Sequence, residues 1–323
     1  MSERTEGRSS LHHYLIAILL GVAGLFIILI FVSLRSQADT SSSSATVSNQ
    51  APTIDTVTVN SASSGTGLST LTLTENTTTT LYVYGTFTDN NGCSEVSGSG
   101  TAVITPTITV LGTTCTASTD NNENYCYLMG GSPTSRWYTN NCTISNCDGG
   151  TDVAGSFLCS YGIWHFASST DSYSGSWGAG VAANDGTVTS AVNSNTTFEV
   201  GSLTSINVTS SIDYGALALG AQSTTGTIRI TNTGNNNRTD IIVYGTAMTC
   251  TVGTISVGQQ VYTSSSLITP TQTLSTVSTS IGLSVRKQIV STTEQASSTY
   301  WKLTLPSSGI SGTCTGTLTF LAN

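Results

Sequence analysis

Residues 205–250 read SINVTSSIDYGALALGAQSTTGTIRITNTGNNNRTDIIVYGTAMTC, and the fold is decided there. Ile228-x-Ile230 has the two-residue period of a half-buried strand, and Asn232-Thr233-Gly234-Asn235 is a turn signal. Apolar residues return in the same period at Ile242-x-Tyr244-x-Thr246-x-Met248-x-Cys250, which predicts a strand whose inward face ends in a cysteine. The far end of the chain repeats the pattern in Cys314-x-Gly316-x-Leu318-x-Phe320, with Thr315, Thr317 and Thr319 facing out. Both cysteines are in phase with the apolar face, so a disulfide across the core between two packed sheets is expected. Closing a loop of that length stabilises by about 4 kcal/mol through loss of unfolded-state entropy.

The pattern extends upstream. Leu71-x-Leu73, Leu81-x-Val83-x-Gly85-x-Phe87, Ile104-x-x-x-Ile108-x-Val110 and Trp177-x-Ala179-x-Val181 alternate with Thr and other small residues. Asp89-Asn90-Asn91-Gly92, Ser99-Gly100, Leu111-Gly112 and Asp185-Gly186 separate these segments as turns. Residues 112–160 carry five cysteines and little periodicity, which predicts a loop-rich insertion pinned by disulfides. Strands resume at Phe157–Phe166, with Leu158, Trp164 and Phe166 on one face, and the run from Phe198 to Ile206 leads into a second domain.

Composition agrees. Only 8% of the 323 residues are charged, against about 25% in an ordinary soluble domain. Ser and Thr number 108, so the solvent-facing surface is built from hydroxyls. Thr and Val are stiff at χ1 and suit pleated strands, whereas helices cover their exposed faces with Glu, Lys, Arg and Gln. An all-helical fold and a coiled coil are excluded. The net charge of −8 repels a phosphate backbone, and the six basic residues after residue 38 are scattered apart from Arg286-Lys287, so no nucleic-acid partner is expected.

Tyr14–Leu34, YLIAILLGVAGLFIILIFVSL, contains no charge. As a helix it spans roughly 30 Å, the thickness of a bilayer's hydrocarbon. Arg4 and Arg8 flank one end and Arg35 the other, which places residues 1–13 in the cytoplasm and the remainder outside it. Cleavage after Ala38, or near Gly7 in the manner of a type IV pilin, are rival readings of the leader. The pilin-like leader usually has Glu at its fifth mature position, and His12 stands there. Residues 35–51, rich in Ser and Thr, form a stalk before domains at 52–200 and 201–323.

Cys93, Cys115, Cys126, Cys142, Cys147, Cys159, Cys250 and Cys314 all follow the anchor. An even count, six in the first domain and two in the second, reads as structural disulfides formed in an oxidising space. Zinc is disfavoured, because the closest pair, Cys142 and Cys147, lacks the C-x2-C spacing and a second ligand pair.

The motif Tyr214-Gly215-x-Leu217-x-x-Gly220, followed by a strand and Thr231-Asn232-Thr233-Gly234-Asn235, resembles the immunoglobulin-like repeats of prokaryotic cell-surface proteins. The first domain, with Thr88-Asp89-Asn90-Asn91-Gly92-Cys93 and Trp177 to Asp185, is similar to immunoglobulin-like or PKD-like surface domains. The resemblance implies an all-β chain with two immunoglobulin-like β-sandwich domains after a single N-terminal transmembrane helix. Such motifs carry fold and bring no functional residues with them.

Few residues are available for chemistry. His165 is the one histidine beyond the leader, expected at a strand surface or rim, and no Gly-x-Ser-x-Gly elbow occurs. No catalytic residue, cofactor or enzyme activity is expected. Asp120-x-Asn122-x-Asn124 has the alternating oxygens of a structural calcium loop, although Tyr125 replaces the turn Gly and Gly131 the bidentate Glu. Asp148 with Asp152, or Asp89 with Asn90, are further oxygen sets in sandwich loops. Asn76, Asn141, Asn195, Asn207 and Asn237 begin Asn-x-Ser/Thr triplets. Tyr125, Tyr127, Trp137 and Tyr138 form a candidate contact surface for a glycan or protein, with the filling of a small loop core as the alternative.

Together these residues predict an anchored cell-surface adhesion or structural protein, touching the membrane through 14–34 and an extracellular glycan, protein or neighbouring cell through its sandwiches. Two alternatives remain: a subunit that assembles with copies of itself into a filament, pilus or surface layer, and an extracellular carbohydrate-active enzyme working through paired carboxylates.

Overall fold

A computed structural model describes residues 7–33, 41–96, 104–111, 123–128, 142–170, 176–267 and 269–323. The chain divides into two units, Met1–Ser48 and Asn49–Asn323. In the first, helix α1 spans Gly7–Ser33, and its segment His12–Ile30 is long and apolar enough to cross a membrane. Its large apolar side chains from Tyr14 to Ile30 are exposed.

The second unit is all β. Its first half contains β1 (Thr53–Asn60), β2 (Thr70–Leu71), β3 (Thr78–Thr88), β4 (Ile104–Val110), β5 (Cys126–Leu128), β6 (Cys142–Ser145), β7 (Ala154–Trp164), β8 (Trp177–Ala183) and β9 (Asn193–Val200). These make a four-stranded sheet, β1-β3-β7-β6, and a five-stranded sheet, β2-β9-β8-β4-β5. Every pairing is antiparallel except β2 with β9. The two sheets share one core, Leu81, Val83, Phe87, Phe157 and Tyr161 from one side meeting Ile108, Tyr127, Trp177 and Phe198 from the other. Burying each of these large side chains contributes about 2–3 kcal/mol.

The second half contains β10 (Ile206–Val208), β11 (Gly226–Asn232), β12 (Arg238–Gly245), β13 (Met248–Val252), β14 (Thr254–Ile255), β15 (Gln260–Thr263), β16 (Gln272–Thr273), β17 (Thr279–Arg286), β18 (Ala296–Leu303), β19 (Ser311–Thr315) and β20 (Leu318–Ala322). The sheet β10-β11-β18-β15-β16 packs on β17-β12-β20, with Ile228, Ile230 and Trp301 against Ile241, Val243 and Val285. A third sheet, β14-β13-β19, encloses a smaller core around Cys250, Ile255 and Leu303.

Three expectations are corrected by this arrangement. Residues 242–250 and 314–320 are not single strands: each run turns a corner between two sheets, β12 into β13 and β19 into β20. Mutual hydrogen bonds fix the corner, Thr246 N–H to the Thr317 carbonyl and Thr317 N–H to the Thr246 hydroxyl, both 3.0 Å. Gly245 is required beside it, since a Cβ there would lie 2.6 Å from Leu274 and 3.0 Å from the Thr317 carbonyl. In β12 the buried residues are Thr239, Ile241, Val243 and Gly245 rather than Ile242 and Tyr244, an alternation that runs unbroken past an irregularity in the β12–β17 pairing between Asp240 and Ile242.

The disulfides follow from the pairing. Cys250 and Cys314 are direct cross-strand partners in β13 and β19, Cα atoms 3.8 Å apart, so their bridge lies within one sheet and not across the core. Cys142 and Cys159 are likewise opposed in β6 and β7, and Cys93 bonds Cys147. Cys126 is disulfide-bonded too, whereas Cys115 lies outside the described residues. Within residues 112–160, expected as a loop-rich insertion pinned by disulfides, 112–122 and 129–141 lie outside the described residues, while Cys142–Cys159 and Cys93–Cys147 do pin the remainder. Their described part supplies β5, β6 and most of β7, and the buried side of β7 is Phe157, Cys159, Tyr161 and Ile163 rather than the face of Leu158 and Trp164.

Candidate functional site

The two ends of the first sandwich hold most of its buried polar groups. At one end β3 finishes at Thr88 and the chain turns through Asp89–Gly92 into a single 3₁₀ turn, Cys93–Glu95. The Asn91 N–H donates to Asp89 Oδ1 at 2.9 Å, closing an Asx turn, and Gly92 adopts φ 132°, which a side chain would oppose. The Asp89 N–H donates to the Val153 carbonyl at 2.7 Å and the Cys93 N–H to the Asp152 carbonyl at 2.8 Å, while Cys93–Cys147 fastens the same loops covalently.

Asp185 approaches from the opposite sheet, just beyond β8. Its Oδ1 accepts the N–H groups of Thr187 and Val188, both at 2.7 Å, and its Oδ2 accepts the Asn49 amide at 2.9 Å. Desolvation works against ionisation here, but these three donors outweigh it and hold the Asp185 carboxyl below the ordinary aspartate range. One carboxylate oxygen each from Asp89, Glu95 and Asp185 lie within 4.8 Å of one another. Asp89 is fully buried, Asp185 is 7% exposed and Glu95 reaches solvent. The second oxygen of Asp89, Oδ2, is buried without a hydrogen-bond partner.

The other end of the sandwich meets the second sandwich. Asn235 is central: its Nδ2 donates to the carbonyls of Ala167 (3.0 Å) and Gly201 (2.9 Å), and its Oδ1 accepts the Leu203 N–H at 2.7 Å. Gly234 beside it can bear no Cβ, which would stand 2.1 Å from the Leu203 carbonyl oxygen. Buried Lys287 sends its Nζ to the Ser168 hydroxyl at 2.9 Å and the Phe166 carbonyl at 3.4 Å, and burial lowers its pKa to about 8. Glu123 accepts the N–H and hydroxyl of Ser291 at 2.6 and 3.0 Å, and Glu75 accepts the Ser205 hydroxyl.

The sequence-predicted residues distribute differently. Asn124 is buried at the junction, its amide donating to the Ile289 carbonyl at 3.0 Å, while Asp120 and Asn122 lie outside the described residues. Tyr127 is a core residue and not a contact surface: it is fully buried, donates to the Glu123 carbonyl at 2.7 Å and accepts the Trp164 N–H at 3.0 Å. Tyr125 is half-buried against the core; Trp137 and Tyr138 lie outside the described residues. His165 is no rim residue either. It sits in the turn after β7, 4% exposed between Trp164 and Phe166, with neither ring nitrogen hydrogen-bonded, and desolvation lowers its pKa. Asp152 caps its own turn by accepting the Gly149 N–H. The second sandwich carries an open groove of about 430 Å³ beside β19, lined by Ile212, Tyr214, Leu217, Met248, Leu305 and Cys314.

The carboxylate cluster was missed because Asp89 and Asp185 are 96 residues apart and each already has a local role in a turn. Asp89-Asn90-Asn91-Gly92 was the available signal, but a turn motif does not reveal that a second turn faces it.

No family model matches the chain, and no curated protein matches it. Among solved structures it is similar to a CsuC–CsuE chaperone–tip adhesion subunit pre-assembly complex from the archaic chaperone-usher Csu pili of Acinetobacter baumannii, at 10% identity and TM-score 0.33, over 81% of this chain and 99% of that one. It is similar to the secreted serine protease VesC of Vibrio cholerae at 11% identity and TM-score 0.18, over 79% of this chain and 49% of that one. It is also similar to the C-terminal domain of the AgI/II polypeptide BspA of Streptococcus agalactiae, at 10% identity and TM-score 0.22, over 84% of this chain and 96% of that one. These likenesses are too distant for any of the three proteins' activities to be carried to this chain.

Proposed function

We propose that the chain is a membrane-anchored surface protein that displays two immunoglobulin-like sandwiches as one stiff unit for adhesion or envelope structure. The observation that carries this reading is the order of parts. An apolar helix long enough to span a bilayer precedes a β unit that holds its disulfides outside that helix and locks its two sandwiches together through buried hydrogen bonds. Disulfides persist in an oxidising compartment, which is where the anchor delivers residues beyond it. A junction in which Lys287 and Glu123 are buried and hydrogen-bonded across it resists bending, as a spacer must. His165 is buried beside aromatic rings with no hydrogen-bond partner on either ring nitrogen, which supports display over turnover at that residue. Protease treatment of intact cells tests the reading: cleavage of the β unit alongside a known surface protein is expected, and its full protection refutes surface display.

A second reading is assembly with further copies. Strand β19 lies at a sheet edge, and an open groove of about 430 Å³ with both polar and apolar lining, Asp213 and Thr313 among Ile212, Leu217 and Leu305, runs beside it, a combination that accepts an added extended segment. Sedimentation of the purified chain distinguishes the readings, since concentration-dependent polymers favour assembly and a monomer at high concentration opposes it.

A further inference from the structure

We infer that Asp89, Glu95 and Asp185 bind a divalent cation of the calcium type, which fastens the loops at the end of the first sandwich remote from the junction. Three carboxylates whose oxygens lie within 4.8 Å of one another carry a concentrated negative charge. Like charges this close repel, and more strongly at a partly buried site than in water. Nothing basic offsets this: among the described residues the one ion pair is Arg229–Glu294, in the other sandwich. The buried Asp89 Oδ2 supplies an independent indication, because a desolvated carboxylate oxygen without a donor is costly unless a cation meets it.

The geometry suits the ion. Calcium takes oxygen ligands at about 2.3–2.6 Å, so two oxygens on one ion stand at most about 5 Å apart, and the three carboxylate oxygens, all within 4.8 Å of one another, fall inside that limit. The donors are all hard oxygens with neither imidazole nor thiolate, Cys93 and Cys147 being joined to each other, and this excludes a zinc-type set. Glu95 reaches solvent on its 3₁₀ turn and can close over an entering ion, an irregular arrangement that calcium accepts more readily than octahedral magnesium.

The site also gathers the segment that leads into β1. Asn49 donates to Asp185, the Gln50 N–H donates to Asn91 Oδ1 at 2.7 Å, and Asn90 donates to Gln50 Oε1 at 3.3 Å. A bound cation therefore stiffens the entry to the sandwich together with its two acidic loops. Its effect is on rigidity and stability.

The test uses the full chain in detergent, freed of metal with a chelator, titrated calorimetrically with calcium chloride and separately with magnesium chloride, and followed by thermal unfolding. One calcium site is expected, with a dissociation constant of about 0.1–1 mM, as for extracellular modules, together with a rise in Tm on binding and weaker binding of magnesium. Glu95→Gln, which removes one of the three repelling charges at an exposed position, is expected to keep the metal-free Tm at or above that of the unaltered chain and to weaken calcium binding about tenfold or more. Asp89→Asn is expected to abolish binding while keeping the metal-free protein folded, since it removes one of three repelling charges. Absence of calcium heat and of any Tm shift up to about 10 mM, above the weakest extracellular modules, overturns the inference. Calcium binding that Glu95→Gln and Asp185→Asn both leave unchanged overturns it as well, because the ion then sits elsewhere.

Discussion

The two ends of the first sandwich bury charge in opposite ways. At the junction, Lys287, Glu123 and Glu75 each find hydroxyl, amide or carbonyl partners on the facing sandwich, and Asn235 uses both ends of its amide. At the remote end Asp89, Glu95 and Asp185 face one another, with Asp89 Oδ2 left bare. Buried charged groups that are partnered specify one geometry even though the neutral His165 and Trp164 near that joint leave ring nitrogens without a hydrogen bond, whereas a half-satisfied set of carboxylates retains affinity for a cation that completes it. One end is a fixed joint, and the other is a site that a ligand completes.

The largest expected effect breaks the remote end. Replacing Cys93 and Cys147 together by Ser removes a bridge spanning 54 residues, and loop-closure entropy puts the loss near 4 kcal/mol. Urea denaturation measures it, and a change below about 1 kcal/mol contradicts the loop-closure account. At the joint, Gly234→Ala forces a methyl group into the Leu203 carbonyl, where backbone and not a side chain must move. A cost of about 3 kcal/mol is expected, with the single thermal transition separating into two as the sandwiches uncouple. A wild-type melting curve for Gly234→Ala means that the joint is not held there.

Which parts of this comparison were legible in the sequence depends on range. Period-two runs such as Leu81, Val83 and Phe87 located buried strand faces because alternation is a local property that pleating converts directly into burial. The same alternation misled at 242–250, since it continues unbroken through Thr246 and Ala247 where the backbone leaves one sheet for the next. Cys250 and Cys314 were rightly read as partners, but phase alone does not distinguish a bridge across a core from one between neighbouring strands. The cluster of Asp89, Glu95 and Asp185 was the least legible, because turn-forming aspartates are chemically identical to ligating ones until the sheets bring their loops together.

Lys287 provides a sharper probe of the joint. Its pKa of about 8 lies below the ordinary 10.5, so the unfolded chain holds the proton more tightly, and between pH 8 and 10.5 unfolding takes one up. Stability is therefore expected to rise from pH 7.5 to 9.5, recovering part of a penalty of about 3 kcal/mol that applies in full below pH 8. Lys287→Met keeps the aliphatic stem, removes the charge and is expected to flatten that slope. An unchanged slope assigns the titration to another group.

The smallest expected effect also lies near the joint, and its sign is the same. His165 follows Trp164 into the turn after β7, its N–H donating to the Thr77 carbonyl, and its ring nitrogens meet no polar partner. Burial disfavours the imidazolium more than the Thr77 contact favours it, so the folded pKa lies below 6.5. As pH falls below 6.5 the unfolded chain takes up a proton that the folded chain resists, and stability declines across that window. His165→Phe fills a comparable volume among Trp164 and Phe166 without a titrating group, and the acid slope is expected to shrink. An acid slope that survives His165→Phe unchanged assigns the sensitivity to another group.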